Sequence, residues 1–208
     1  VPLSMMITIL TAYPLSKEPR RLRARSVYAW LFFFTMLVSG GLIPGYLLIQ
    51  KLHLMDTIWA MVLPTTVSVY NIVLMLNFFR GIPVELEEAA LMDGAGQFRT
   101  CFQIYVPCAL PSIATLTLFS FITQWNSYFD GLIFSNFPEN YPLASYLYTV
   151  VVQRDMSLLS VEEYKLSMVD DRTIRCAQIF ISMLPIMLIY PFAQKYFVSG
   201  ITVGSVKG

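Results

Sequence analysis

Four stretches of this chain run on without a charged side chain: Val27–Gln50, Thr57–Phe79, Thr100–Phe129 and Cys176–Gln194. A helix needs roughly 20 mainly apolar residues to cross a hydrocarbon core of about 30 Å, and these four meet or approach that length. A fifth run, Val1–Ser16, is too short. Composition points the same way, with 56% hydrophobic and 13% charged residues, where a soluble domain carries about a quarter charged. Mean hydropathy is +0.62. In lipid every backbone polar group must be satisfied within the protein, so these runs predict an all-α, polytopic transmembrane bundle. The expected spans are about 1–16 (partial), 27–48, 59–79, 108–132 and 174–197, within a single membrane domain over 1–208.

The chain begins at Val1, without Met and inside an apolar run. That start reads as an N-terminal truncation that removes at least one upstream span. A cleaved signal peptide fits the run less well, because a basic n-region and a small-residue cleavage site are missing.

Orientation follows from the basic residues. "KEPRRLRAR" gathers Lys17, Arg20, Arg21, Arg23 and Arg25 into one short loop, and such clusters stay cytoplasmic. Alternation then places 80–107 and the tail 198–208, with Lys207, inside. Asp155 and Glu162 fall outside.

The spans are not uniform apolar rods. Gly40, Gly41, Pro44, Gly45, Pro64, Pro111, Pro185 and Pro191 interrupt them, and lipid tolerates such breaks only where neighbouring helices or a cavity satisfy the freed carbonyls. Asn71, Asn77, Gln124 and Asn126 are amides within or near spans that must find partners, either across helices or along a path. In "TQWNSYF", Gln124, Trp125, Asn126 and Tyr128 offer amides for sugar hydroxyls and aromatic faces for sugar C–H surfaces, and Asn126 and Tyr128 are the preferred pathway residues. Gln124 has a second reading, as a partner of Asn71. Trp125 has one too, as an interface anchor.

Other chemistries lack their parts. There is no GxxxxGK[ST], HExxH or GxSxG, and the lone His53 precludes a Ser/His/Asp set. Cys101, Cys108 and Cys176 form no CxxC and read as apolar filler. No metal, cofactor or catalytic residue is expected, and a net charge of +1 gives no reason to invoke nucleic acid.

The stretch "VELEEAALMDGAGQFRTCFQIYVP" differs from its apolar flanks. Pro83 suits a helix's first turn, and Glu85, Glu87 and Glu88 suit the positive end of its dipole. Leu86, Ala89 and Ala90 have the spacing of one apolar face. Asp93-Gly94 then breaks the helix, and Phe98–Tyr105 starts a second. The expectation is two short helices joined by a glycine elbow on the cytoplasmic face.

Here the residues carry a resemblance. Glu88-Ala89-Ala90, Gly94, Ile104 and Val106-Pro107 resemble the EAA loop of bacterial ABC-importer permeases, with Val106 in place of the usual Leu. "EEAALMDGA", "FFRGIPVELEEAA", "QWNSYF", "NYPL", "LPIMLIYPFAQKYFVSG" and "GSVKG" are similar to the carbohydrate-uptake branch. That branch includes the maltose importer's second permease, and within it the chain is most similar to the permeases that serve complex oligosaccharides, including alginate-type importers. The resemblance implies the type I importer permease fold and half of a sugar or oligosaccharide pathway in the bacterial plasma membrane. It also implies three kinds of partner: a second permease (as a heterodimer), a cytoplasmic ATPase dimer and an extracytoplasmic binding protein. Carried over by motif, Glu88, Ala89, Ala90, Asp93 and Gly94 form the ATPase-coupling element. Two other readings stand beside this one: an ABC permease for a non-sugar solute, and a secondary transporter or membrane-embedded enzyme. Carboxylates inside the spans, expected of a proton-coupled pump, are lacking.

Overall fold

Glycine, proline and serine divide the apolar runs into shorter helices. The computed structural model describes residues 1–18, 24–38, 40–150, 173, 176–189 and 191. In chain order the helices are α1 (Pro2–Ser16), α2 (Arg25–Leu37), α3 (Leu42–Lys51), α4 (Ile58–Thr66), α5 (Val69–Arg80), α6 (Val84–Met92), α7 (Gln97–Cys108), α8 (Leu110–Trp125), α9 (Phe129–Phe134), α10 (Leu143–Tyr148) and α11 (Cys176–Ile189). There is no strand among the described residues. The all-helical expectation holds.

The expected long spans are broken. No single helix among the described residues is long and apolar enough to cross a membrane, but three consecutive pairs reach the required length and composition together: α2 with α3, α4 with α5, and α7 with α8. Between α2 and α3, Gly41 takes a positive φ of +86°, which glycine reaches without steric cost. Between α4 and α5 the chain bends by 44°, and the Ser68 hydroxyl accepts from the Asn71 N–H to cap the new helix. The α7–α8 bend is 82°.

The chain forms two compact units. The first comprises Val1–Gly41 and Leu63–Phe121, and the second Leu42–Val62 with the described part of 122–192. In the first unit, Met5, Ile9, Ala12 and Tyr13 line one face of α1, and Ile72, Met75, Leu76 and Phe79 one face of α5. Both sets follow the helical repeat of an apolar stripe. The fully buried Ala12 leaves room for close approach. Cys101, Tyr105, Ala109 and Leu116 complete this core. By contrast α2 buries no residue and leaves Trp30, Phe34 and Leu37 exposed. Such a surface requires an apolar neighbour, lipid or protein.

The second unit has a smaller core of Ile49, Ala60 and Phe134. Gly131 packs so tightly that a Cβ there would lie 2.6 Å from Pro142 Cδ. Asp56, at a φ of +59°, accepts from both the backbone N–H and the side-chain amide of Asn136. Its own N–H donates to the carbonyl of Phe134. Most of the basic loop (Arg20, Arg21 and Arg23), Asp155, Glu162 and the tail 198–208 lie outside the described residues.

Candidate functional site

Helix α6 starts after Pro83, which sits at the N-cap and not inside the first turn, and Glu85 and Glu87 follow in that turn. Its end is a Schellman motif. The Ala95 N–H donates to the Ala90 carbonyl at 2.9 Å, the Gly94 N–H donates to the Leu91 carbonyl at 3.0 Å, and Gly94 has a φ of +77°. This geometry satisfies the helix's orphan carbonyls and needs a left-handed residue at that one position. The Asp93-Gly94 break therefore has a defined conformation.

The buried face of α6 differs from the expected one. Leu86 and Ala89 are exposed, whereas Glu87 and Ala90 are buried. The inward carboxylate, Glu87, is only 2% exposed. It lies 2.8 Å from the Lys17 ammonium and accepts from the Tyr105 hydroxyl, also at 2.8 Å. Lys17 follows the last residue of α1, where the helix dipole favours a cation. Its ammonium stands 3.8 Å from the centres of both the Tyr13 and Tyr105 rings, within cation–π range. Beneath it Tyr13, Phe79 and Tyr105 meet edge to face, with ring centres 5.0–6.4 Å apart. The Tyr13 hydroxyl donates to Gln97 Oε1 at the start of α7 (2.9 Å), and Arg25 donates to the Lys17 carbonyl at 2.8 Å.

Tyr105 ends a π-helical turn, Cys101–Tyr105, within α7. Pro107 follows closely, and it offers no N–H to the Gln103 carbonyl and crowds it. Turns of this kind recur at functional sites. Buried Cys101 is in the same turn. Burial pushes its thiol above the ordinary range, and Lys17 opposes this in part. A cavity of about 400 Å³ adjoins the cluster, lined by Leu10, Tyr13, Pro14, Gln97, Phe98 and Cys101 among others.

The second set of candidates lies at the end of α8. Trp125 is its last residue, and the indole N–H donates to the Ser182 carbonyl on α11 at 3.3 Å. Gln124 is half-buried on the same turn. Asn126 is exposed, and its amide donates back to the Ile122 carbonyl at 2.9 Å, closing the helix end. Tyr128 is 40% exposed and stacks on Tyr148, with ring centres 4.4 Å apart and planes at 16°. Asn71 belongs to the other unit. Its amide donates to the Ser120 hydroxyl of the same unit.

Residues 4–203 match the family of binding-protein-dependent transport system inner membrane components. The chain belongs to that family. The polygalacturonan/rhamnogalacturonan transport system permease protein YtcP of Bacillus subtilis (strain 168) is 39% identical over 210 residues, covering 99% of this chain and 71% of the relative. Protein LplC of the same organism is 37% identical, over 98% of this chain and 68% of its own. A crystal structure of a bacterial ABC transporter involved in import of the acidic polysaccharide alginate superposes with a TM-score of 0.85. There the identity is 34%, covering 95% of this chain and 70% of that one. The fold of this inner membrane component is the ABC-importer permease fold.

Sequence reasoning missed two parts of this permease. Glu87 stood among three acids assigned to a helix dipole. The signal available was its three-residue spacing from Ala90, which puts both on one face. Tyr148 had no such signal, because its partnership with Tyr128 depends on how α10 returns to α9.

Proposed function

We propose that this permease forms half of the membrane pathway of an ATP-driven importer for a sugar or oligosaccharide, with α6 as the element that docks on the ATPase. The observation that carries this reading is the shape of α6. Glu88 and Ala89 are exposed on one side, Glu87 is anchored on the other, and a glycine-capped break follows. Small exposed residues let a partner surface approach closely, and an exposed Glu88 carboxylate suits an arginine across such an interface. The cargo class is supported by what the relatives' names state, and by the partly exposed Tyr128–Tyr148 stack. Its partners are a second, non-identical permease, a cytoplasmic ATPase dimer and an extracytoplasmic binding protein. The complex resides in the bacterial plasma membrane.

The test is reconstitution of the full permease with those partners in liposomes. Uptake of a labelled oligosaccharide should require ATP inside and binding protein outside. Uptake driven by an ion gradient without ATP would favour a secondary transporter. ATP-dependent uptake of only non-sugar solutes would overturn the cargo class.

A further inference from the structure

We propose that Lys17 and Glu87 are a latch that makes the coupling helix α6 move as one body with α1, so that displacement of α6 reaches the membrane helices through this pair. The inference rests on the transport reading above.

Covalent connection alone does not fix α6. It joins α5 through Gly81-Ile82-Pro83 and α7 through the Asp93–Gly96 break. How far α6 transmits a push therefore depends on its lateral attachments. Its buried residues are Glu87 and Ala90, and Glu87 makes polar contacts to both neighbouring helices. One carboxylate oxygen contacts both the Lys17 ammonium at the end of α1 and the Tyr105 hydroxyl on α7. A carboxylate and an ammonium this deeply buried strongly resist separation, because each would lose a close opposite charge where little water can replace it. The tyrosine rings against the ammonium and the Arg25 bond to the Lys17 carbonyl fix the α1 side of the latch. The opposite side of α6 stays exposed for a partner. α6 thus has one face to be pushed and one face that holds.

The experiment uses the full reconstituted transporter and reads uptake per ATP hydrolysed. Lys17→Met and Glu87→Gln should each keep ATP hydrolysis but lower uptake per ATP about ten-fold, and the exchanged pair Lys17→Glu with Glu87→Lys should recover part of it, since the reversed charges lose the ring faces and the helix dipoles. Wild-type uptake per ATP in both single variants overturns the latch. So does an exchanged pair that restores assembly but not coupling. A second measurement does not depend on the folding of charged variants. In a chain whose native cysteines are serines, Lys17→Cys with Glu87→Cys is bridged by a short bifunctional thiol reagent. The latch requires the bridged transporter to be coupled and the unbridged one to be impaired. A bridge that stops transport shows that α6 must separate from α1, and the proposal falls. If the wild-type complex itself shows no ATP-driven uptake, the transport reading fails instead.

Discussion

The side-chain amide of Asn71 donates to the hydroxyl of Ser120 at 2.9 Å, joining α5 to α8 where both side chains are buried. Such a bond holds helices together. Interhelical hydrogen bonds in membranes contribute about 0.6 kcal/mol on average, up to about 1.7. Ser120→Ala leaves the amide unpaired, at a cost of about 1–3 kcal/mol. Asn71→Leu should cost less, because the remaining hydroxyl can turn to its own helix carbonyl. A double-mutant cycle on thermal unfolding of the detergent-purified permease should give a coupling energy within the membrane range. Neither variant should change cargo preference. A changed preference without lost stability would return Asn71 to the pathway.

Gly94 yields a prediction based on conformation, not size. A Cβ at this position meets nothing within 4 Å in this chain, but φ is +77°. Strain for an ordinary L-residue there is about 1–2 kcal/mol, and asparagine tolerates it best. Uptake and ATPase association should therefore fall in the order Gly94, Gly94→Asn, Gly94→Ala, Gly94→Val. Asparagine is larger than alanine, so an alanine variant more active than the asparagine one would mean that space at the partner's surface governs this position.

The α6 region was legible in part because its rules are local. Pro83, the clustered acids and Asp93-Gly94 mark a helix start and stop within ten residues or so, and the structure has the helix and the cap. The pairing of Glu87 with Lys17 was not legible, since the two are 70 positions apart and become neighbours only when α1 packs on α5. The same holds for Asn71, whose partner depends on the register of α5 against α8. Charge-free runs gave the membrane class, but hydropathy says nothing about bends. The breaks at Ser68 and around Gly41 depend on backbone geometry, which the glycines and prolines only hint at.

Cysteine chemistry tests the packing of α7. Cys101 is buried under the Lys17 cluster with its thiol raised by burial, while Cys108, seven residues on, is exposed. The thiolate is the reactive form, so Cys101 loses reactivity both through access and through protonation. In single-cysteine variants at neutral pH, a maleimide should modify Cys108 readily and Cys101 only on denaturation. Raising the pH should not expose Cys101 while the fold persists. Equal labelling of the two would mean that the turn at 101–105 is not packed as described.

The last prediction concerns the Tyr128–Tyr148 stack. The two rings lie nearly parallel, and Tyr128 keeps 40% of its surface exposed. Exposed aromatic faces suit the apolar C–H surface of a sugar, whereas Asn126 commits one of its two amide N–H groups to the Ile122 carbonyl. Tyr128→Ala removes the face and its stacking partner, which is worth about 0.5–1.5 kcal/mol. Uptake should fall roughly two- to ten-fold, with binding-protein-stimulated ATP hydrolysis largely kept. Tyr128→Phe preserves the ring and should stay close to wild type. Tyr148→Ala should resemble Tyr128→Ala, because it frees the Tyr128 ring to rotate. Asn126→Ala removes a helix-end hydrogen bond together with an exposed amide oxygen and N–H, and should alter uptake less than Tyr128→Ala. Kinetics of uptake for oligosaccharides of graded length would separate these cases. If Tyr128→Ala carries every oligosaccharide at the wild-type rate and only the unfolding midpoint drops, the stack is packing, and the pathway runs elsewhere.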